Sequence, residues 1–220
     1  MSLPIWSLFI SIGWSQDWCN SKEPSVVQTI QVIKAQTNQS TCKSAFRSLV
    51  FQSSLDLSNF GISDLRPLAE QKQLRVLLLR NNNISDISTL SSLSRLHWLD
   101  LSKNPIEDIG PLRTLHNLKT LWLSDVRVKD ISPLSSLKNI LYLSVANTET
   151  VDVTPLTDLT RLRFLGLARN QIEDLRPLSQ LRNLKSVDIS GNPILFCPET
   201  SVNNKWKDKC EQKLSENKGK

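Results

Sequence analysis

The sequence predicts an α/β fold: a right-handed solenoid, curved like a horseshoe, with short parallel strands on its concave face, turns or 3₁₀ helix on its convex face and a helical cap at the N-terminus. Three observations carry the prediction. The chain matches itself at a period of 22 residues over most of its length. Each copy opens with apolar residues at its fourth and sixth positions, the period of two that marks a strand with one buried face. Five of the six full copies carry proline at the sixteenth position, as Pro67, Pro111, Pro133, Pro155 and Pro177.

In order, the copies run 52–73, 74–95, 96–117, 118–139, 140–161 and 162–183, with a partial seventh from Leu184. The clearest, LHWLDLSKNPIEDIGPLRTLHN from Leu96 to Asn117, is repeated by LRFLGLARNQIEDLRPLSQLRN from Leu162 to Asn183 with nearly every apolar position kept. A proline cannot sit inside a long helix, and only about eight residues separate it from the next strand, so the return path is short turns or 3₁₀ helix. No single copy can enclose its own leucines. Successive copies must therefore stack, giving a parallel sheet on one side and tight turns on the wider, convex side.

These residues resemble the 22-residue leucine-rich repeat of bacterial internalins and of a related class of phosphatase regulators, whose pattern is NxIxDIxPLxxLxxL. The resemblance covers about residues 52–196 and implies a leucine-rich-repeat solenoid. It also implies a role in adhesion or host contact, though a fold alone does not fix a function. Phe60, Val126 and Thr148 replace Asn at the ninth position, Thr89 replaces Pro at the sixteenth and Gln71 replaces Leu at the twentieth. The expected ladder of asparagines is thus interrupted in the first, fourth and fifth copies.

A solenoid exposes an apolar cross-section at each end that must be covered. Residues 16–51 are read as a two-helix N-terminal cap, with Val26, Val27, Ile30 and Ile33 at helical spacing behind Pro24 and a second stripe of Cys42, Phe46, Leu49 and Val50. Residues 197–220 are read as a C-terminal cap and basic tail, with Trp206 as a lid on the last leucines. The four cysteines, Cys19, Cys42, Cys197 and Cys210, lie in pairs at the two ends, as in an exported protein with two disulfides. Seven strands about 4.8 Å apart set the caps roughly 30 Å from each other, whereas bridged Cα atoms lie within about 7 Å. The expected pairs are Cys19 with Cys42 and Cys197 with Cys210.

Residues 1–15 carry no charge, and an apolar run from Leu3 to Trp14 ends in small residues at Gly13 and Ser15. This predicts an export signal cleaved before Gln16, although the basic start of such signals is missing. The run is too short to span a bilayer, which takes roughly 20 residues, so no transmembrane segment is expected. The excess of 27 basic over 21 acidic residues owes much to the tail 205–220, where six lysines face three acids. Without a Lys/Arg run, zinc spacing or aromatic-studded basic strand, nucleic acid is not an expected partner.

The inner face shows positions three, five and seven of each copy. Val76, Leu78, Trp98, Trp122, Tyr142 and Phe164 fall there side by side, next to the small Ser102, Ser124, Ala146 and Ala168. Such residues suit strands and can simply pack on one another, but a contiguous exposed aromatic surface more often marks an interface. Around it stand Arg75, Arg80, Lys103, Lys119, Arg163, Arg169 and Lys185, a basic rim suited to a partner with an acidic border. The residues nominated for partner binding are the six apolar ones with Arg80, Lys103 and Arg169. By register, the Trp98 and Trp122 rings should be adjacent and partly exposed while Leu99, Leu101, Leu121 and Leu123 are buried.

Other chemistry is poorly supported. The Asp at position thirteen, from Asp64 to Asp174, suits the capping of a following turn, since one carboxylate per copy does not supply the six to eight oxygens that calcium takes. Asp56 and Asp100 stand two strands apart, about 9.6 Å, near the spacing of an inverting glycosidase pair, but on an open sheet. His97 and His116 have no nucleophile or metal ligand at a useful spacing, so no catalysis, metal or cofactor is expected. Asn38-Gln39-Ser40 and Asn83-Ile84-Ser85 are glycosylation sequons, relevant only in a eukaryotic secretory pathway.

The expected function is that of a non-catalytic exported module, secreted, periplasmic or at the cell surface, that grips a protein on its aromatic concave face. Two alternatives stand beside it. One is a carbohydrate binder stacking sugar rings on Trp98, Trp122 and Tyr142. The other is a cytoplasmic scaffold like the phosphatase regulators, if the N-terminal segment is not a signal.

Overall fold

The structure, a computed structural model, describes residues 18–198 and 204–218, and the side chains of 204–207 and 216–218 are not among those described. The expected export signal over 1–15 and the expected Trp206 lid lie outside the described residues and side chains. Seven parallel strands pair in chain order in one open sheet: β1 Ser54–Asp56, β2 Val76–Leu78, β3 Trp98–Asp100, β4 Thr120–Trp122, β5 Tyr142–Ser144, β6 Phe164–Gly166 and β7 Ser186–Asp188. Each strand occupies positions three to five of its copy. The register is strict, with Leu55, Leu77, Leu99, Leu121, Leu143, Leu165 and Val187 aligned across the sheet. Leu99, Leu101, Leu121 and Leu123 are fully buried in the single core that runs along the solenoid. Since strand side chains alternate faces, that burial fixes the third and fifth positions outward.

Between strands the chain returns through 3₁₀ segments of three to five residues, Arg66–Leu68, Ser88–Ser92, Gly110–Thr114, Ser132–Ser136, Thr154–Leu156 and Arg176–Gln180. Proline stands at the first or second position of five of them, where its missing N–H is no loss. Ser88–Ser92 forms without one. The Asp at position thirteen has the same task in all six copies: its carboxylate accepts the backbone N–H two residues on, at 2.7 to 2.9 Å. Burial pushes Asp64 up, but hydrogen bonds and charge from Arg66, with a bond from the Ser25 hydroxyl, outweigh it and hold the carboxyl below its usual range. The Arg176 side chain, against the weaker effect of burial, holds Asp174 low, and the Ser132 backbone N–H and hydroxyl do the same for Asp130. These carboxylates are turn caps.

Buried asparagines tie four of the copies to the one before. Asn82 donates to the Leu57 and Leu79 carbonyls at 2.8 Å each and accepts from Phe60 and Ile62 N–H at 3.1 Å each. Asn104, Asn170 and Asn192 repeat the pattern. Val126 cannot take this role, and the Thr148 hydroxyl bonds only Val145, Thr150 and Asn170, none of them in the preceding copy. On the convex side, two further rows bridge copies: Ser92, Thr114 and Ser136 hydroxyls donate to carbonyls of the previous turn, as do the Asn117, Asn139 and Asn183 amides.

Gln71 sits at a position that is leucine in the later copies, where Leu93, Leu115, Leu137, Leu159 and Leu181 are buried. Its side chain is equally buried, its Oε1 accepts from Gln73 Nε2 at 3.1 Å, and its Nε2 finds no partner. A buried donor left unpaired costs about 1–3 kcal/mol. Gln71→Leu should therefore raise the unfolding free energy by about 1–2 kcal/mol, measured as a higher urea midpoint. A lower midpoint would show that the amide contributes more than it costs.

At the N-terminus, α1 (Pro24–Gln36) and α2 (Cys42–Leu49) close the first copy. Val26, Ile30, Ile33, Ala45, Phe46 and Leu49 are buried against it, with Val27 half-buried, and the Thr29 hydroxyl donates to the Asp64 carbonyl at 2.8 Å. Thr41 caps α2 by accepting the Ser44 N–H. A disulfide joins Cys19 to Cys42, Cα to Cα 5.6 Å, and another joins Cys197 to Cys210 at 5.9 Å. The C-terminal cap is more regular than its polar sequence suggests: Asn204–Lys218 form α3, which brings the fully buried Cys210 to Cys197. No described helix is long and apolar enough to cross a membrane.

Candidate functional site

The parallel register lines up Val76, Trp98, Thr120, Tyr142 and Phe164, one per strand, along one row of the concave face. Leu78, Asp100, Trp122, Ser144 and Gly166 form the row beside it. Trp98 and Tyr142 stand out furthest, at 45 % and 40 % exposure. Val76, Leu78, Trp122 and Phe164 are half-buried. All six apolar candidates thus share one surface.

Their internal arrangement differs from the expected one. The ring that Trp122 meets is not Trp98 but Phe164, edge-on at 5.8 Å between centroids and 69° between planes. Phe164 lies two strands further along, so the Trp122 side chain crosses β5 at Ser144. The reason lies in its neighbours. On one side stands Asp100, whose carboxylate is held upright by the Ser102 N–H at 2.9 Å. On the other, Ser144 and Gly166 are both buried and leave room for a large ring. A Cβ on Gly166 would meet Ser144 Oγ at 2.6 Å, and Ser144 Oγ is itself 2.9 Å from Ser124 Oγ. A side chain at Gly166 would force the Ser144 hydroxyl out of this position. Sequence reading singled out the rings but not this seat, which short residues mark only once the register is known.

The nominated cations divide between two edges. Arg75, Lys119, Arg163 and Lys185 precede their strands, at the leading edge of the sheet, whereas Arg80, Lys103 and Arg169 follow theirs, at the trailing edge. All seven are exposed and form no ion pair among the described residues. Lys103 and Arg169 also occupy a left-handed backbone position, φ 57° each, shared with Asn59, Asn81, Asp125, Asn147 and Gly191. There the chain turns sharply out of the strand, a conformation that Asn and Gly take readily and Lys or Arg do not. The basic rim thus consists of two rows, one along each edge of the aromatic patch.

The acids on this face are occupied by their own turns. Asp56, Asp100 and Asp188 each accept the backbone N–H two residues on, at 2.9, 2.9 and 3.1 Å. This gives Asp56 and Asp100 a structural task in the turns that follow their strands. His97 is likewise engaged locally, its Nδ1 lying 2.7 Å from the Arg95 carbonyl.

Comparison with known proteins agrees with this architecture. The family model described as "Leucine Rich repeats (2 copies)" matches residues 72–114, 94–136 and 160–202. An internalin (inlF) of Listeria monocytogenes is 28 % identical, with a TM-score of 0.66 over 76 % of this chain and 57 % of that one. This chain therefore spans little more than half of that protein. Internalin C2 (inlC2) of the same organism is 27 % identical, with a TM-score of 0.65 over 80 % of this chain and 89 % of the other. The leucine-rich repeat domain of APL1B, 16 % identical, shares the fold at a TM-score of 0.60 over 71 % of this chain and 48 % of that one. No curated protein matches the chain in sequence.

Proposed function

We propose that this chain, whose leucine-rich repeats and internalin-like architecture make a scaffold suited to protein–protein contact, binds a protein partner on its concave face through the row that holds Trp98 and Tyr142. One observation carries the reading: Trp98 and Tyr142 are held out toward solvent in one row, with only Thr120 between them, on a sheet whose central strand residues are turned inward. Aromatic side chains on rigid elements lose little conformational freedom on binding, and they dominate interface hot spots. Val76, Leu78, Trp122 and Phe164 complete the apolar centre, with Arg80, Lys103 and Arg169 at its trailing edge. The two disulfides and the internalin-like neighbours support an extracellular or surface setting, since disulfides are rare in cytosolic proteins. The same bonds count against a phosphatase-regulator role inside the cell.

The test is affinity capture with the wild type beside Trp98→Ala and Tyr142→Ala, followed by measurement of Kd for the captured protein. Truncating a hot spot costs about 2 kcal/mol, so a roughly thirtyfold loss of affinity is expected. The melting temperature should hardly move, because neither ring belongs to the leucine core. A lower melting temperature with unchanged Kd would make these rings packing and sink the site. Selective binding on a glycan array with no protein captured would replace the reading by carbohydrate recognition.

A further inference from the structure

Charge is distributed across this solenoid, from edge to edge, in a way that its net value hides. The six turns that lead into β2 to β7, residues 71–76, 93–98, 115–120, 137–142, 159–164 and 181–186, hold nine Lys or Arg, both histidines of the chain and no Asp or Glu. The six turns that leave β1 to β6, residues 59–65, 81–87, 103–109, 125–131, 147–153 and 169–175, hold ten acids against four bases. Stacking in register brings each set together as a continuous edge. Of the nine leading-edge cations, only Lys72 and Lys138 are paired with acids, Glu70 at 3.7 Å and Asp158 at 3.2 Å, among the described residues. The other seven face solvent uncompensated.

The aromatic row lies directly against this leading edge. Trp98, Tyr142 and Phe164 are the first residues of their strands, and His97, Leu141 and Arg163 come immediately before them. We propose that the partner is an acidic polypeptide segment that lies along the leading edge, its carboxylates on that edge and its apolar side chains on the Trp98–Phe164 row. The proposal rests on the concave face being a protein-binding surface, and it specifies the partner and where on that face it docks. A nucleic acid or a long sulfated glycan fits less well, because it carries negative charge on every side. The trailing edge begins roughly 17 Å away, five residues along an extended strand, and its acids would repel such a polymer wherever it spread across the sheet. A polypeptide can put acids on one side and apolar groups on the other, as the two adjoining rows require.

A random-peptide phage library selected on the wild-type protein supplies the probe, and synthetic copies of the selected peptides are then titrated by fluorescence anisotropy. Four proteins are compared: wild type, the leading-edge reversal Lys119→Glu/Arg163→Glu, the trailing-edge reversal Glu107→Lys/Glu173→Lys, and Trp98→Ala. Selected peptides should be rich in Asp and Glu with interspersed aromatic or aliphatic residues. Their affinity should fall about tenfold or more in the leading-edge reversal, stay within about twofold in the trailing-edge reversal, and weaken as salt is raised. Neutral or basic peptides, or acidic ones indifferent to the leading-edge reversal, would overturn the proposal. If those peptides still lost affinity in Trp98→Ala, the concave-face reading would survive its failure; indifference to all three variants would remove both. A heparin oligosaccharide that bound more tightly than any peptide, with the same edge dependence, would make the occupant a glycan and overturn it as well.

Discussion

Asn170→Ala should destabilise the protein by about 4 kcal/mol. Asn170 is 1 % exposed, and its amide closes the gap between two copies. Its Oδ1 accepts from Thr148 N–H at 2.9 Å and Thr150 N–H at 3.2 Å, and its Nδ2 donates to the Val145 and Leu167 carbonyls at 2.8 and 3.0 Å. Alanine strands the Thr148 and Thr150 N–H groups away from water, each at a cost of about 1–3 kcal/mol when unpaired, while the Val145 and Leu167 carbonyls keep one bond each, from the Thr148 hydroxyl and the Asn192 amide. For a unit of this size about 4 kcal/mol lowers the melting temperature by roughly 10 °C. Asn183→Ala is the matched control. Asn183 also bridges copies, through one bond of 2.8 Å to the Thr160 carbonyl, but on the exposed convex side where water can replace it. Its loss should stay below about 1 kcal/mol. Equal losses from the two would show that burial does not set the value of these bridges.

Removing the N-terminal disulfide, as Cys19→Ser/Cys42→Ser, should cost about 3 kcal/mol, since the bond closes a segment of sequence separation 23. The more telling result is where the loss falls. In a solenoid each copy touches only its neighbours, so damage at one end propagates inward with distance. The disulfide holds Trp18–Asn20 to α2, and α2 with α1 covers the apolar end of the first copy. Hydrogen exchange should therefore accelerate in β1 and β2 while protection in β5 and β6 stays close to wild type. Uniform acceleration along all seven strands would mean that the solenoid unfolds as one block and that the cap is not a separate stabilising unit.

What could be read from the sequence follows from how local each signal is. The strand positions, the inward leucines and the absence of a long convex helix come from a period of 22 and a proline at a fixed place, so they need no knowledge of neighbours. The disulfide partners followed from length alone, because the caps are too far apart to be joined. Features that depend on packing between copies were less visible. Trp122 selects Phe164 because Ser144 and Gly166 leave space, a relation that spans two strands and has no trace within one repeat. Lys103 and Arg169 read as rim charges, since nothing in their side chains announces the left-handed backbone they share with Asn81 and Gly191. The α3 helix was missed because its apolar residues are only three, Trp206, Cys210 and Leu214, a stripe of one per turn that the strongly polar composition around it conceals.

The interrupted asparagine ladder bears on how the molecule responds to force. Asn82 and Asn104 bind the first three copies into one arm, and Asn170 and Asn192 bind the last three into another. The fourth copy, residues 118–139, is joined to the arm before it by strand pairing and by convex bridges such as Asn139 to the His116 carbonyl at 2.9 Å. On the side toward the strands it lacks the buried amides that stiffen the rest. The arc is therefore a pair of rigid limbs on a compliant middle, and bending concentrates there. Trp98 belongs to one limb and Tyr142 to the other, so the same flexure that relieves strain in the backbone also opens or narrows the gap between the two most exposed rings of the concave face, as jaws move on a spring.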